Sequence, residues 1–223
     1  MSDILLHVSA MLQASGLLIA ALFPIVNPVG SAVVFSAMVN RFDMRLQRRL
    51  AKQISIYSFF LLFLSMLCGG AILSFFGVSL YSVQIGGGLV VAINSWFLLA
   101  EKRAGEGEPI MTVDAIMMRA FYPLTLPFTV GPGSISVAIA LGAHLPAELH
   151  TRPFSPLIFI ASILGSVVIC LMVYLCYYWA DPAEHLLGST GTEVGIRLSS
   201  FISLCIGVQI VSSGIRSYIG SLH

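Results

Sequence analysis

The chain has 223 residues, of which 57% are apolar and only 9% are charged, and its formal net charge is +1. A soluble domain carries about 25% charged residues, so this composition excludes a water-soluble protein. A nucleic-acid partner would need a basic excess that the chain lacks. We therefore expect an all-α membrane protein in contact with a lipid bilayer.

Six membrane-spanning helices are predicted from the segments that lack Asp, Glu, Lys and Arg. One span needs roughly 20 apolar residues, so the long segment 54–100 must hold two spans, divided near Phe76-Gly77-Val78-Ser79. The chain 1–223 then forms a single transmembrane domain. The predicted spans are 8–39, 54–76, 80–100, 120–145, 154–179 and 197–216.

The basic residues predict the orientation of these spans. Nine of the eleven Lys and Arg residues fall in the loops after spans one, three and five. Basic loops stay in the cytoplasm, so both termini should be periplasmic and 101–119 should be a cytoplasmic linker. Arg41, Arg45, Arg48 and Lys52 recur at near-helical spacing, which indicates either a helical extension touching anionic headgroups or a topology signal alone.

The stretch "FPIVNPVGSAVVF" (23–35) places helix-breaking residues inside the first span. Pro28 has no N–H and disfavours the α conformation at the preceding Asn27. Asn is a preferred N-cap and Pro is favoured directly after it, so we expect one half-helix to end here and another to begin. The new half-helix would offer free N–H groups near Val29, Gly30 and Ser31. Candidate binding residues are Asn27, Pro28, Gly30 and Ser31.

A second break is predicted in the fourth span, at Gly131-Pro132-Gly133-Ser134. Each break is preceded by an earlier proline, Pro24 in one case and Pro127 in the other. Here the capping side chain is missing, and Thr129 could supply it. Single kinks of this kind are common in membrane helices and need not bind anything. The candidate binding residues are Thr129, Gly131, Pro132, Gly133 and Ser134.

The two halves of the chain share one plan, with 1–100 and 120–223 as three-span repeats. The third spans also correspond, since "QIGGGLVVAINSWF" (84–97) aligns with "RLSSFISLCIGVQI" (197–210). Three is an odd number, so the second repeat must be inverted relative to the first. Transporters built this way bind their substrate where the repeats meet. Asn94 and Gln209, in the third and sixth spans, are either substrate contacts or interhelical hydrogen-bonding residues.

Broken helices have a chemistry that suits a zwitterion. Helix N-termini attract anions, and the carbonyl groups that precede a break suit an ammonium group. The spans carry no charged residue near their centres, which disfavours a charged substrate. We expect a small neutral amino acid as substrate. Carbonyl and hydroxyl oxygens could hold sodium as coupling ion, whereas the spans offer no carboxylate for the alternative, a proton.

Five stretches of the chain resemble the MarC family of integral membrane proteins, described as six-span neutral amino acid transporters. The resemblance implies a bacterial inner-membrane exporter of amino acids such as glycine or alanine, and it places the site at the two proline-glycine motifs. The chain has Ser199-Ser200 where many members have Gly. The matching stretches are "NPVG" (27–30), "IGGGLVVAI" (85–93), "FYPLTLPFTVGPGSIS" (121–136), "TEVGIRL" (192–198) and "GVQIVSSGI" (207–215).

The leading hypothesis is a secondary transporter working by alternating access, and other classes of function compete with it. A membrane-embedded enzyme is disfavoured because the chain has neither a G-x-S-x-G elbow nor an H-E-x-x-H pair. If the protein is a scaffold, altering the breaks should affect folding and there should be no substrate flux to lose. If it is a channel, it should show conductance that does not saturate with substrate. We expect no catalytic residue, no cofactor and no metal site, and the chain could form oligomers.

Overall fold

The computed structural model describes residues 2–39, 42–100, 113–148 and 156–222, and the regular elements in these ranges are all helical. A segment of wider helical turns, Ala120–Thr129, precedes α6. The helices are α1 (Ser2–Val26), α2 (Pro28–Val39), α3 (Met44–Phe75), α4 (Leu80–Ala100), α5 (Val113–Met118), α6 (Pro132–Glu148), α7 (Pro156–Tyr178) and α8 (Ala180–Gly220).

Among the described residues, five helices are long and apolar enough to cross a membrane. A sixth span results if the segment Ala120–Thr129 and the following Pro132–Ala143, which meet at 66°, are counted together. The all-α membrane class is therefore confirmed, with five or six spans. The five candidates are Met11–Ser36, Met44–Phe75, Leu80–Ala100, Phe159–Tyr178 and Glu193–Gly220.

The predicted division of segment 54–100 is confirmed. Helix α3 ends at Phe75, Gly77 turns the chain with φ of 65°, and α4 begins at Leu80. Helix α3 also begins ten residues before the predicted span, at Met44. Its 32 residues extend about 48 Å, which exceeds the hydrocarbon thickness of about 30 Å. The first turns, which carry the exposed side chains of Arg45, Arg48, Arg49 and Lys52, therefore continue beyond the apolar layer.

The predicted last span, 197–216, lies within the candidate span Glu193–Gly220. Helix α8, which carries this span, begins earlier, at Ala180, and its single non-helical residue is Gly188, with φ of 68° and ψ of 178°. Glycine adopts this conformation without a Cβ clash, so the chain kinks at Gly188 and continues as a helix. The predicted span 154–179 is described from Pro156 onward as α7, and the first part of the predicted linker, 101–112, lies outside the described residues.

Close backbone contacts join α4 to α8. A Cβ at Gly88 would lie 2.8 Å from the carbonyl oxygen of Gly207, and one at Gly207 would lie 2.6 Å from the amide nitrogen of Ala92. Small residues allow two helix backbones to approach this closely. Such packing matters in a membrane, because the hydrophobic effect does not drive helices together in lipid. The remaining helices enclose the core, in which α1 packs on α7, α2 on α7 and α8, and α3 on α6 and α7.

The start of α3 and the end of α7 lie at the same end of the bundle. The guanidinium carbon of Arg48 sits 4.4 Å from the ring centroid of Tyr178, which is a cation–π contact. Trp179 follows directly and is exposed, as is typical of aromatic residues at a membrane interface. The loops after the first and fifth predicted spans thus share one face.

Candidate functional site

The first interruption, defined as residues 26–31, centres on Asn27. This residue lies between α1 and α2 with φ of 45°, in the left-handed region that Asn tolerates better than most residues. Its N–H still donates to the Phe23 carbonyl at 2.9 Å, and its own carbonyl accepts from the Ser31 N–H at 3.0 Å. The backbone ladder therefore continues on both sides, and Met11–Ser36 remains one span.

The Asn27 side chain joins this interruption to α8. Its Oδ1 accepts from the Gly30 N–H at 3.2 Å, while its Nδ2 donates to Ser203 Oγ at 3.1 Å and to the Ser199 carbonyl at 3.4 Å. The prediction of free N–H groups at Gly30 and Ser31 is therefore wrong. Both groups have acceptors on Asn27, because an Asn in this position caps the helix that follows it.

The second interruption, defined as residues 129–134, has a different geometry. Tyr122 and Leu126 each precede a proline and are extended, with φ near −120° and ψ near 122°, because proline disfavours the α conformation at the residue before it. Wider i→i−5 hydrogen bonds, such as Val130 N–H to the Thr125 carbonyl at 2.9 Å, hold the segment. Helix α6 then leaves at 66° to it.

Thr129 does not cap α6 as the sequence suggested. Its buried hydroxyl donates to the Leu124 carbonyl at 2.7 Å and lies 2.7 Å from the Tyr177 hydroxyl. Gly131 has no side chain to offer, and Pro132 has no N–H. The first N–H groups of α6, on Gly133 and Ser134, thus receive no capping bond from Thr129 or Gly131.

A cavity of about 300 Å³ lies between the two interruptions and is also lined by α4 and α8. This volume is at the lower end of the range for small-molecule sites. Among the described residues that line it, none is Asp, Glu, Lys, Arg or His. Hydroxyl and amide groups supply the polarity, from Asn27, Ser31, Asn94, Ser95, Thr129, Ser134, Ser199, Ser200 and Ser203.

The structure brings most of the predicted site residues together in this cavity. Pro28 is buried but does not line it, Gly133 packs against the Val91 side chain, and Gln209 is exposed elsewhere on α8. These three positions lie outside the cavity lining, which depends on the rotation of each helix about its axis and is not fixed by sequence alone. The residues that do line the cavity are Asn27, Gly30, Ser31, Asn94, Thr129, Gly131, Pro132 and Ser134.

Sequence reasoning missed four serines, Ser95, Ser199, Ser200 and Ser203, which line the same cavity. Serines in membrane helices often bond back to their own helix, so residue type gave no reason to select them. For two of them the sequence held a signal, since Ser199 and Ser200 are adjacent polar residues near the start of an apolar span.

Tyr177 of α7 lies between α2 and the second interruption. Its buried ring stacks on Phe35 of α2, with centroids 4.4 Å apart and planes 15° from parallel. Its hydroxyl lies 2.7 Å from Thr129 Oγ1, within hydrogen-bonding distance. One side chain thus contacts both α2 and the second interruption.

Comparison with known proteins gives the family. Residues 12–219 match the model of the MarC family integral membrane proteins. The chain belongs to the MarC family. A "UPF0056 membrane protein" of Archaeoglobus fulgidus is 29% identical, covering 90% of this chain and 92% of the relative. A "UPF0056 inner membrane protein MarC" of Salmonella arizonae is 26% identical, covering 95% and 98%. No solved structure matches this MarC family member.

Proposed function

We propose that this protein is a secondary transporter, in the exporting direction, of small neutral amino acids such as glycine or alanine. The observation that carries the proposal is the cavity of about 300 Å³ between the two interruptions, which is lined by hydroxyl and amide groups and by no charged side chain. A small zwitterion has no net charge, so it needs paired dipoles rather than a counter-ion at membrane depth.

The two ends of such a zwitterion would find different partners. Its carboxylate suits the first turn of α6, where the N–H group of the cavity-lining Ser134 lacks a cap from Thr129 or Gly131 and where the helix dipole favours an anion. Its ammonium group suits the oxygen atoms of Asn94 and of the lining serines across the cavity. The Gly30 and Ser31 N–H groups of the first interruption already donate to Asn27. The first interruption therefore forms one wall of the cavity without offering these groups to a ligand.

The proposed mechanism is alternating access between two inverted three-span repeats, 1–100 and 120–223, each with a broken first span. The pairing of helices supports this arrangement. Helix α2 packs on α8 and its counterpart α6 packs on α4, while α1 packs on α7 and its counterpart, the segment Ala120–Thr129, packs on α3. Helix α4 also packs on its counterpart α8, and α3 packs on its counterpart α7. Two equivalent halves would give this pattern of contacts.

The proposed location is the bacterial inner membrane, with both termini periplasmic. The Salmonella relative is named an inner membrane protein. The exposed basic residues at the start of α3 lie at the same end as Tyr178 and Trp179, which suits a cytoplasmic membrane interface.

Sodium or a proton is the proposed coupling ion, and oligomers are compatible with the exposed apolar faces of α4 and α8.

The test is flux in proteoliposomes. Radiolabelled glycine and alanine should enter with saturable kinetics under a sodium or proton gradient. Asn94→Ala should reduce this flux, because Asn94 lines the cavity, whereas Gln209→Ala should leave it unchanged, because Gln209 lies outside. Conductance without saturation would instead indicate a channel, and correctly folded protein without flux of any neutral amino acid would favour a scaffold.

A further inference from the structure

Four basic side chains lie on one face of α3 near its start, and all four are exposed. Two pairs of them are spaced i,i+4, Arg45 with Arg49 and Arg48 with Lys52, and like charges at this spacing destabilise a helix. Within the described part of the chain none of the four has an ion pair, not even with Asp43 directly before the helix. This face of α3 therefore favours a negatively charged ligand.

One of these residues, Arg48, is held against the end of α7. Its guanidinium carbon lies 4.4 Å from the centroid of the Tyr178 ring, which in turn contacts Tyr174 and Trp179 at centroid distances of 5.8 and 5.7 Å. No described residue accepts a hydrogen bond from this guanidinium. Tyr and Trp side chains at the ends of membrane helices lie at the level of the lipid headgroups. The guanidinium can therefore bind a lipid phosphate, through two parallel hydrogen bonds.

The surfaces on the next turns below this basic and aromatic cluster are apolar and exposed. Helix α7 packs on α3 in the antiparallel sense, since Arg48 contacts Tyr178 near one end and Phe63 contacts Phe159 towards the other. The exposed apolar side chains below the cluster are Ile56 and Phe60 on α3 and Leu175 and Leu171 on α7. Cations above an apolar surface match the chemistry of a phospholipid, whose charged headgroup joins hydrocarbon chains.

We propose that the basic start of α3 and the aromatic end of α7 form a binding site for an anionic phospholipid. The lipid phosphate contacts Arg48 and its basic neighbours, and the acyl chains lie along the apolar surfaces below. A phospholipid uses both parts of this surface, whereas a soluble anion would use only the basic part. The residues of this site do not line the cavity, so the inference is independent of what the cavity binds.

The test uses Trp179 as a fluorescent reporter within the site. The chain has two tryptophans, so Trp96→Phe leaves Trp179 as the one emitter. This variant is reconstituted in phosphatidylcholine bilayers that contain a small fraction of lipid brominated near the headgroup end of its acyl chains, because bromine quenches tryptophan on contact. Brominated phosphatidylglycerol should quench Trp179 at a mole fraction at least about fivefold lower than brominated phosphatidylcholine. One basic residue near an anionic membrane surface supplies about this factor.

Three substitutions in this background separate a site from general surface charge. Arg48→Gln should lower the preference for phosphatidylglycerol about fivefold. Arg216→Gln is the matched control and should leave it unchanged, because this exposed arginine lies at the other end of the bundle, where Tyr218 contacts Tyr81. Tyr178→Leu keeps every charge but releases the guanidinium, and it should lower the preference by about two- to fivefold, the factor expected for an exposed cation–π contact. Quenching by brominated phosphatidylcholine should be the same in all variants, which checks that Trp179 stays at the interface.

Several results would overturn the proposal. The two brominated lipids would quench alike if no anionic lipid is preferred. A preference that survives Arg48→Gln, or that Arg216→Gln lowers equally, would contradict the assigned residues. A preference unchanged by Tyr178→Leu would indicate diffuse attraction to surface charge and no site. Inorganic phosphate should not relieve the quenching by phosphatidylglycerol, and full relief would show that the ligand is a phosphate ion and not a lipid.

Discussion

Ser199 of α8 lies directly against Gly30 of the first interruption, so closely that a Cβ at Gly30 would overlap the Ser199 side chain. The counterpart contact joins Gly133 of the second interruption to the Val91 side chain of α4. In both places a glycine beside a chain interruption contacts a side chain of a distant helix, α8 in one case and α4 in the other. The cavity lies between the two interruptions.

Gly30→Ala should destabilise the protein because its new methyl group needs the space of Ser199. We expect a loss of about 1–3 kcal/mol in the free energy of unfolding, as for other overpacked sites. The double variant Gly30→Ala with Ser199→Gly removes the Ser199 atoms from this overlap, while the overlap with the Asn27 amide remains, so it should recover part of that loss. Gly16→Ala, where a Cβ would meet nothing within 4 Å, is the control. Thermal unfolding of purified protein in detergent compares these three variants with the parent protein, and a double variant that recovers none of the loss would contradict the contact.

Two substitutions of Asn27 separate the effect of its backbone conformation on stability from the effect of its side-chain hydrogen bonds. Asn27→Gly removes the cap on α2 and the bonds to α8 but tolerates φ of 45°, whereas Asn27→Ala loses the same bonds and strains the backbone as well. Asn27→Ala should therefore be about 1–2 kcal/mol less stable than Asn27→Gly. Equal unfolding temperatures for the two variants would show that Asn27 is not left-handed in the folded protein.

The glycine run 86–88 contains a matched pair of positions. A Cβ at Gly88 would meet backbone atoms of α8, while one at Gly86 would meet nothing within 4 Å. Gly88→Ala should cost about 1–3 kcal/mol, because backbone cannot move aside as a side chain can. Gly86→Ala should be neutral or stabilise α4 by about 0.5–1 kcal/mol. Chemical unfolding in detergent compares them, and similar effects at the two positions would argue against the close α4–α8 packing.

The orientation can be tested at the two ends of α3. Met44→Cys at its start and Val78→Cys in the turn after its end are both exposed positions, and the helix between them is longer than the apolar layer is thick. In spheroplasts a membrane-impermeant thiol reagent should label Val78→Cys at once and Met44→Cys only after permeabilisation. The reverse pattern would place the basic end of α3 outside the cell.

Local chemistry made much of the fold predictable. The absence of charges located the spans, Gly77 marked the turn between α3 and α4, and Asn27-Pro28 marked the point at which α1 gives way to α2. The two proline motifs look alike in sequence but differ in three dimensions. The first keeps a nearly continuous helix because Asn27 bonds on both sides, and the second bends by 66°.

The composition of the cavity wall was less predictable, because it depends on helix rotation. Close contacts such as that of Gly88 with Gly207 fix how α8 turns relative to α4, and this rotation brings Ser199, Ser200 and Ser203 into the cavity while leaving Gln209 outside. Tyr177 escaped notice for a similar reason. Its sequence neighbours are apolar or aromatic, and only the tertiary structure brings it to Phe35 and Thr129.

The most direct test of the central claim is substrate protection of a cavity thiol. Ser200→Cys, in protein whose four native cysteines are replaced by Ala, places a thiol in the cavity wall, and Val78→Cys in the α3–α4 turn is the control. We predict that glycine or alanine slows labelling of Ser200→Cys in a saturable manner and does not affect Val78→Cys. Labelling of Ser200→Cys that is unchanged by every neutral amino acid tested would contradict the assignment of this cavity as their binding site.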